Sequence, residues 1–545
     1  MRLAHPCHRK KRIVWDTRAA LRDPYETPSL RRRAITALVF LFGFYAFTIG
    51  ISLVLFAVPA VWYFAMRNAS ANLMVWIIFI CWLSAFGLLQ GIFSTKRPRF
   101  VSKGRKLSRV DAAPLFDLLD ELASKAGIAS PAEVHLVPTM DVAVTEVGGF
   151  FGYKSTRILI VGLPVLELLT IQEARAVLAH ELGHFVGGDT RLSGVLAYTV
   201  EMFRSVKQTV RRKRIGSGMF GFAREFREHL GHLIVDAYAA VFFRVMSASS
   251  RQQEIAADVL ATRLAGRDAA KSALEKITLA DPLYPVYLLT NVRLAIDSDV
   301  MPSDLMDGFQ IFREQFSKRD EFQKLQAEVR SAKTVAHDTH PALAERLAVI
   351  DAQAVDIAND DPRLAVTLLS ESREELDRWL GTETLQIFKS EKPLRALPWI
   401  EIGEQAYGPR LLKKGQAVAD RLRGLFPPIE DVTQMFVRIV SDLHARGPEP
   451  LAFFLAPVIE RVHPSQRNDL VLDFAGEALA ALFQAALLNC GGKAETSLGE
   501  VSVAITWNGR RIHAADLARR ALRENEARAE VDSFVEELAS ARAPS

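Results

Sequence analysis

Two histidines and a glutamate stand at a spacing that suits metal-dependent hydrolysis. His180 and His184 are four residues apart in the stretch VLAHELGHFVGGDT, and Glu181 directly follows the first of them. On a helix, residues four apart share a face, so both imidazoles can bind one metal ion. A zinc ion lowers the pKa of its water molecule to about 7, and Glu181 is placed to accept a proton from that water. The spacing therefore predicts a zinc-dependent hydrolase.

The same letters would also fit a helix with two surface histidines. The neighbouring residues argue against that alternative, because AVLA before the motif and LG inside it are small and apolar. A helix with such neighbours is expected to be buried, and histidines without partners are costly in a buried position. We therefore favour the metal site.

A catalytic zinc ion needs a third protein ligand besides the two histidines. Glu254 is the candidate, and Asp258 follows it one turn later in the largely apolar segment SSRQQEIAADVLATRLAG. A cation would explain why two carboxylates are buried there. Glu254 is predicted to bind zinc, and Asp258 to accept a hydrogen bond from the far nitrogen of a ligand histidine. The alternative is a pair of carboxylates at a solvated helix edge.

The elements that must position these residues follow from the apolar pattern. A helix is predicted from Ile171 to Val186, where two glycines end it. Ahead of it, the segments at 133–138 and 157–162 are typical of short buried strands, and the segment at 140–144 of a third, exposed strand. These predictions place a small sheet before the motif helix.

Two charge-free segments near the N-terminus are long enough to cross a bilayer. Residues 34–66 and 73–93 contain no charged side chain, and about 20 apolar residues suffice for one span. A cleaved signal peptide would have a shorter apolar core and no second span. The stretch at 232–246 is a weaker candidate, because it is short and contains Asp236 and Arg244. A buried or membrane-surface helix is favoured there.

Basic residues flank the two spans on their outer ends. HRKKR and RRR precede the first span, STKRPRFVSKGRKLSR follows the second, and the connecting loop has only Arg67. Positive flanks stay on the cytoplasmic side, so everything outside the hairpin is expected in the cytoplasm, at the inner membrane of a bacterium. These flanks would meet anionic lipid of the bilayer, which leaves little reason to expect nucleic acid as a partner. The three cysteines form no Cys-x-x-Cys pair, which fits a reducing compartment.

Together these patterns predict an α+β, mainly α protein. The expected parts are a basic cytoplasmic tail at 1–33, a two-helix transmembrane hairpin at 34–93, a zincin-like catalytic domain with a small sheet at 94–350, and a mostly helical C-terminal domain at 351–545. In the last part, Asn508–Gly509 lies between alternating runs and predicts a β-hairpin. The sequence indicates no role for this domain and no oligomeric state.

Three ordered segments resemble the family of zinc metallopeptidases that includes the HtpX heat-shock membrane protease and the CAAX prenyl proteases. They are AVLAHELGH, SRQQEIAAD and THPALAERLAVI. The last one places His340 before a proline and Arg346 six residues after His340. The resemblance covers roughly Val110 to Ile350, which is less than half of the chain.

This resemblance implies one zinc ion per chain and a role for each matching residue. The zinc ligands that it implies are His180, His184 and Glu254. Glu181 would be the base. His340 and Arg346 would line the cleft near the reacting carbonyl.

The chain departs from the family in three respects. The family often has Asn-Ala in the substrate-pairing strand, where this chain has Asp141-Val142-Ala143, so the register of that strand is open. HtpX-type members usually have two further spans between the motifs, where this chain has only the stretch at 232–246. Two spans cannot enclose the many-span chamber of the prenyl proteases, so a CAAX substrate is not expected.

These observations predict a membrane-anchored zinc endopeptidase that cleaves membrane or membrane-proximal proteins, in quality control or processing. A substrate peptide would add as a strand beside Val142, Ala143 and Val144. His340 and Arg346 would stabilise the developing oxyanion. The rival hypothesis is a non-proteolytic chaperone-like or binding module that retains the zinc site, because fold and motif do not guarantee turnover.

Overall fold

The structure is a computed structural model of the 545-residue chain. The residues it describes are 30–65, 71–93, 104–147, 156–186, 199, 202–203, 205, 219–332, 334, 340–355, 357, 361–390, 394–426, 429, 431–500 and 502–541. The chain divides into two compact units. Unit 1 comprises Met1–Thr278 and Glu328–Ser370, and unit 2 comprises Leu279–Ala327 and Glu371–Ser545. The four-part division predicted from the sequence stays a prediction.

The elements up to residue 351 include four strands of one sheet and most of the helices of unit 1. In chain order they are α1 Leu30–Ala65, α2 Ala71–Phe93, β1 Arg105–Lys106, α3 Ala113–Lys125, β2 Glu133–Val137, β3 Val142–Val147, β4 Thr156–Gly162, α4 Leu163–Leu168, α5 Ile171–Val186, α6 Met219–Ala265, α7 Arg267–Ala280, α8 Leu283–Tyr287, the π-helical turn Leu288–Val292, α9 Arg293–Ile296, β5 Val300–Pro302, α10 Leu305–Ser317, α11 Asp320–Ser331 and α12 Leu343–Asp351.

The remaining elements are mainly helical and, after the first, belong to unit 2. In chain order they are the 3₁₀ turn Ala365–Leu368, α13 Arg373–Ile387, β6 Arg395–Leu397, α14 Trp399–Ile402, the π-helical turn Gly403–Tyr407, α15 Gly408–Leu422, α16 Val432–Arg446, α17 Glu449–Leu455, the 3₁₀ turn Pro457–Arg461, α18 Pro464–Asn489, β7 Lys493–Ala494, β8 Ile505–Trp507, β9 Arg510–Ile512, α19 Ala514–Ala521 and α20 Asn525–Ser540. The predicted fold class, α+β and mainly α, is confirmed.

Helices α1 and α2 form the apolar hairpin that the sequence predicts. Residues Leu38–Phe64 of α1 are long and apolar enough to cross a membrane, and Ile77–Phe93 of α2 is a shorter apolar stretch. Large apolar side chains of α1 such as Phe42 and Phe64 are exposed, as they are on a helix that faces lipid. The basic segments that set the predicted orientation, at 1–29 and 94–103, lie outside the described residues.

The first half of α6 packs against this hairpin. Val235 and Phe242 are buried in one cluster with Phe44 of α1 and Ile92 of α2. The Tyr238 hydroxyl donates a hydrogen bond of 2.7 Å to the carbonyl of Phe40. The stretch at 232–246 is therefore helical and has one face buried against the hairpin. The preference for a buried or membrane-surface helix over a third span stays a prediction.

The sheet of unit 1 has the strand order β1-β2-β4-β3. β2 pairs parallel with β4, and β3 pairs antiparallel with β4. The two predicted buried strands and the third strand are therefore present. β3 lies at the edge of the sheet, next to α5, and each of its residues is only half-buried.

Helix α5 spans the residues predicted for it, and its start is held by a reciprocal cap. The Thr170 backbone N–H donates to the Glu173 carboxylate at 2.9 Å, and the Glu173 N–H donates to the Thr170 hydroxyl at 3.2 Å. This T-x-x-E arrangement satisfies two backbone donors that a helix start would otherwise leave unpaired. Glu173 also binds Ser272 and Lys276 of α7, which ties the start of α5 to that helix.

Helices α5 and α6 run in opposite directions in close contact. The Gln172 amide donates to the carbonyl of Ala265 at the end of α6. Near the end of α5, Gly183 meets Ala257 so closely that an added Cβ would lie 3.0 Å from the Ala257 Cα. A side chain at this position would require α6 to shift by a few tenths of an ångström, so the glycine favours the close approach that brings the motif face of α5 onto α6.

Unit 2 is built around the buried helix α18. This helix is long and apolar enough to cross a membrane, but 72% of its apolar stretch is buried inside the fold. It is therefore a core helix of unit 2. Its Phe483 stacks on Phe436 of α16 with 4.8 Å between ring centroids. The predicted hairpin is present between β8 and β9, with Asn508 and Gly509 both at positive φ, as a type I′ turn requires.

The contact at Gly183 yields the first prediction. Gly183→Val should push α5 away from α6, lower the free energy of unfolding by about 1–3 kcal/mol and weaken metal binding. Thermal unfolding and titration with a competing chelator measure the two effects. Gly50→Val is the control, because its added Cβ meets no atom within 4 Å. Wild-type stability and metal affinity in Gly183→Val would show that this contact does not set the helix separation.

Candidate active site

The two motif histidines of α5 aim their Nε2 atoms at one carboxylate of α6. His180 Nε2 lies 3.6 Å from Glu254 Oε2, and His184 Nε2 lies 3.7 Å from Glu254 Oε1. A tetrahedral zinc ion with bonds of about 2.0–2.1 Å would hold its ligand atoms roughly 3.3 Å apart. The three side chains therefore surround a position that a cation of this size fits.

The chemistry of Glu254 supports this fit. Its side chain is only 3% exposed, and Oε2 has no hydrogen-bond partner. A buried ionised carboxylate is very costly unless it is paired or binds a metal ion. The orphaned oxygen faces His180, so a cation between the two groups would satisfy both.

A second carboxylate sets the orientation of His180. His180 Nδ1 lies 3.0 Å from Asp258 Oδ1. Because the ionised carboxylate accepts, the Nδ1–H must donate, which leaves the Nε2 lone pair free to face Glu254. This is the contact that the sequence predicts for Asp258.

Arg346 of α12 holds the Asp258 carboxylate in place through hydrogen bonds. Its Nε and Nη2 donate two hydrogen bonds to Asp258, at 2.9 and 2.7 Å. The same guanidinium stands 3.8 Å from Glu254 Oε2. The structure thus brings Arg346 to the site, as the sequence comparison implied, but engages it with Asp258.

His340 and Glu181 complete the cluster. His340 is exposed, and its Nδ1 lies 2.9 Å from Glu254 Oε1. Glu181 offers a ligand atom within 4.8 Å of those of His180 and His184, as expected for a group beside a bound ion. All seven predicted residues outside the strand therefore meet in one place.

The charges around Glu254 and Asp258 determine the ionisation of the cluster. Burial raises the pKa of Asp258, but hydrogen bonds from Arg346 and His180 outweigh it and lower that pKa. Burial lowers the pKa of His180, yet the hydrogen bond to Asp258 and the nearby carboxylate of Glu254 raise it overall to about 10. Burial raises the pKa of Glu181, against the opposing charge of His184.

The predicted substrate strand lies beside this cluster. Val142, Ala143 and Val144 are the first residues of β3, opposite Val161, Ile160 and Leu159 of β4. No other described strand pairs with the outer edge of β3. That edge has room for one more strand next to α5.

Sequence reasoning missed the role of Gly183 and the engagement of Arg346 with Asp258. Gly183 lies inside the motif itself, one residue before His184. The sequence signal for this role was the glycine itself, because a residue without a side chain lets its helix approach a second helix closely. The contact of Arg346 had no local signal, because Asp258 lies 88 positions earlier.

Residues 111–354 match the sequence model of peptidase family M48. Protease HtpX of Chromohalobacter salexigens is 31% identical over 219 residues, which cover 37% of this chain and 69% of that protein. The chain belongs to peptidase family M48. Protease HtpX of Hahella chejuensis is a further relative of this M48 chain, 26% identical over 228 residues that cover 39% of this chain and 73% of that protein.

A solved structure is also similar to part of this M48 chain. The crystal structure of S. mikatae Ste24p aligns with 58% of this chain and 66% of that chain, at 16% identity and a TM-score of 0.26. This likeness is too low to support any argument about the site. The family assignment rests on the sequence matches alone.

Membership in family M48 makes the chain a protease, and therefore a hydrolase that acts on protein or peptide substrates. The family also implies a metal cofactor. Among the described residues, His180, Glu181 and His184 have ligand atoms that all lie within 4.8 Å of one another and could hold a metal ion. The Glu254 carboxylate faces the same two imidazoles at 3.6 and 3.7 Å, so it competes with Glu181 for the place of the third ligand.

The geometry predicts how metal binding divides among these residues. Glu254→Ala should remove most of the bound metal, because it deletes a ligand, whereas Glu181→Gln should retain close to one zinc ion per chain. Elemental analysis after dialysis measures both. Equal loss in the two variants would contradict the assignment of Glu254 as a ligand and Glu181 as a non-ligand.

Proposed function

We propose that the chain is a membrane-anchored, zinc-dependent endopeptidase. His180, His184 and Glu254 would bind the zinc ion, and Glu181 would be the general base. The observation that carries the proposal is the buried Glu254 carboxylate, which faces both Nε2 atoms and has an oxygen without a hydrogen-bond partner. A hydrogen-bonded core cluster would have no reason to leave that oxygen unpaired.

The residues of the site divide the chemistry among them. A bound zinc ion would supply a Lewis acid that polarises the scissile carbonyl and makes a water molecule acidic. Glu181 accepts the proton of the attacking water and passes it to the leaving amine nitrogen. His340 is exposed at the cleft and is placed to donate a hydrogen bond to the developing oxyanion.

Arg346 has a different role in this proposal from the one predicted from the sequence. Its two hydrogen bonds to Asp258 fix the carboxylate that in turn fixes the ring of His180. Arg346 is therefore a positioning residue, which acts on the metal through Asp258 and His180. Its Nη1 is also close to Glu254, so it balances the negative charge of both buried carboxylates.

The substrate would bind as an extended peptide beside Val142, Ala143 and Val144. The outer edge of β3 offers backbone donors and acceptors, which pair with any sequence, so the site would tolerate many side chains. Such a strand lies next to the motif face of α5, where the reactive carbonyl must be. Unfolded or loosely folded segments suit this mode of binding, because they can adopt an extended conformation.

The membrane placement follows from α1 and α2. Their exposed apolar side chains favour insertion into a bilayer. The basic flanks favour the cytoplasmic side of an inner membrane for the catalytic residues. Membrane or membrane-proximal proteins are then the substrates within reach, in quality control or processing.

Loss of hydrolysis in Glu181→Gln tests the proposed chemistry. With a reduced, unfolded protein as substrate, this variant should retain zinc and lose a factor of about 10²–10⁴ in cleavage rate, the usual contribution of a general base. Glu133→Gln is the control, since Glu133 pairs with Lys106 of β1 and His135 of β2 and not with a residue of the site. A wild-type protein that holds zinc and binds unfolded chains without cleaving them would favour the chaperone-like alternative.

Alanine variants of Arg346 and His340 should affect different quantities, metal affinity for Arg346 and kcat for His340. Arg346→Ala should weaken metal binding about 10–100-fold, because Asp258 loses its support, and Arg346→Lys should recover part of that affinity. His340→Ala should keep the metal and lower kcat about 10²–10³-fold. Chelator competition and steady-state kinetics measure the two quantities. Full metal affinity with a reduced kcat in Arg346→Ala would instead assign Arg346 to the oxyanion.

A further inference from the structure

Unit 2 contains a cavity of about 260 Å³ that the peptidase chemistry does not use. Its walls are mainly apolar, and Phe312 and Phe316 form one side with their rings stacked at 5.6 Å between centroids. This volume is slightly below the roughly 300–1,000 Å³ of most small-molecule sites. The cavity is therefore the size of one small molecule or one amino-acid side chain with its backbone.

The polar groups of the cavity include a hydroxyl without a partner. Tyr407 lines the cavity and is only 3% exposed. Its hydroxyl makes no hydrogen bond. Burial raises the pKa of this phenol, so it stays neutral and can donate. An unpaired buried hydroxyl costs about 1–3 kcal/mol. Because this oxygen has almost no solvent-accessible surface, a ligand would accept from it after a small displacement of the cavity wall, and that bond would remove the cost.

Two π-helical turns supply polar residues to this cavity. Asn291 lies in the turn Leu288–Val292, closed by a bond from the Arg293 N–H to the carbonyl of Leu288. Tyr407 lies in the second turn, which Gly408 closes in the same way on Gly403. π-helical turns are rare and are found often at functional sites.

The charge around the cavity favours an anion. Arg319 lines it, and the guanidinium lies over the Phe316 ring at 5.6 Å. Arg410 donates to the carbonyl of the lining residue Leu294. In the described part of the chain neither guanidinium forms an ion pair, whereas the lining carboxylate Glu500 is already paired with Arg511.

We propose that this cavity binds a small carboxylate with an apolar body. The apolar part would lie against Phe312 and Phe316, and the carboxylate would accept from the Tyr407 hydroxyl and meet the charge of Arg319. A free organic acid and the C-terminal residue of a polypeptide share this chemistry. The site is independent of the zinc-binding residues and does not rest on the proposed function.

The test uses the full chain and 3-(4-fluorophenyl)propanoate, with binding followed by broadening of the ¹⁹F resonance. The acid should bind saturably and at least about tenfold more tightly than its neutral amide. Tyr407→Phe should weaken the acid about 2–10-fold, the range expected for one hydrogen bond, without lowering the melting temperature of the free protein. Arg319→Gln should abolish the preference for the acid over the amide.

Arg528→Gln is the matched control, because Arg528 lines a separate cavity of about 270 Å³ in unit 2. It should leave binding of the acid unchanged. Equal affinity for acid and amide, no saturable binding, or the same loss in Arg528→Gln as in Arg319→Gln would overturn the proposal. Competition by N-acetylphenylalanine and by a peptide ending in phenylalanine identifies a C-terminus as the source. Competition by neither identifies a free acid.

Discussion

Two carboxylates buried on one helix determine how the rest of the site is arranged. Glu254 and Asp258 are both almost fully buried on α6, and two negative charges in that position are costly without cationic partners. Asp258 has its partners within the chain, in Arg346 and the Nδ1–H of His180. Glu254 has the exposed His340 at 2.9 Å, while Arg346 and the two motif imidazoles lie at 3.6–3.8 Å, and its Oε2 accepts no hydrogen bond. This difference between the two carboxylates is the reason why Glu254, and not Asp258, is proposed as the metal ligand.

The parts of the site that obey local periodicity could be predicted from the sequence. The bounds of α5, the shared face of His180 and His184, and the one-turn spacing of Glu254 and Asp258 all follow from 3.6 residues per turn. The hairpin at Asn508–Gly509 was equally local, because its turn type requires positive φ at both positions. Interactions of this range are encoded within a few residues.

The remaining features depend on residues far apart in the chain. The two hydrogen bonds from Arg346 to Asp258 exist because α12 packs on α6, which no local pattern indicates. The π-helical turn at Gly403–Tyr407 has no recognised sequence signature, so the unpaired hydroxyl of Tyr407 could not be anticipated. Unit 2 also includes Leu279–Ala327, a segment that precedes the third matching motif in the chain. No local pattern in this segment indicates that it is separate from the catalytic part.

Because α6 is continuous, it fixes the distance between the apolar hairpin and the candidate active site. Phe242 packs on the apolar hairpin and Glu254 faces the two motif histidines, both on one unbroken helix. At 1.5 Å per residue, the twelve residues between them span about 18 Å. An extended polypeptide covers this distance with five or six residues. With the hairpin in a bilayer, peptide bonds of a membrane-tethered substrate that lie nearer to the membrane would not reach the site. The length of α6 would then determine which peptide bond of that substrate is cut.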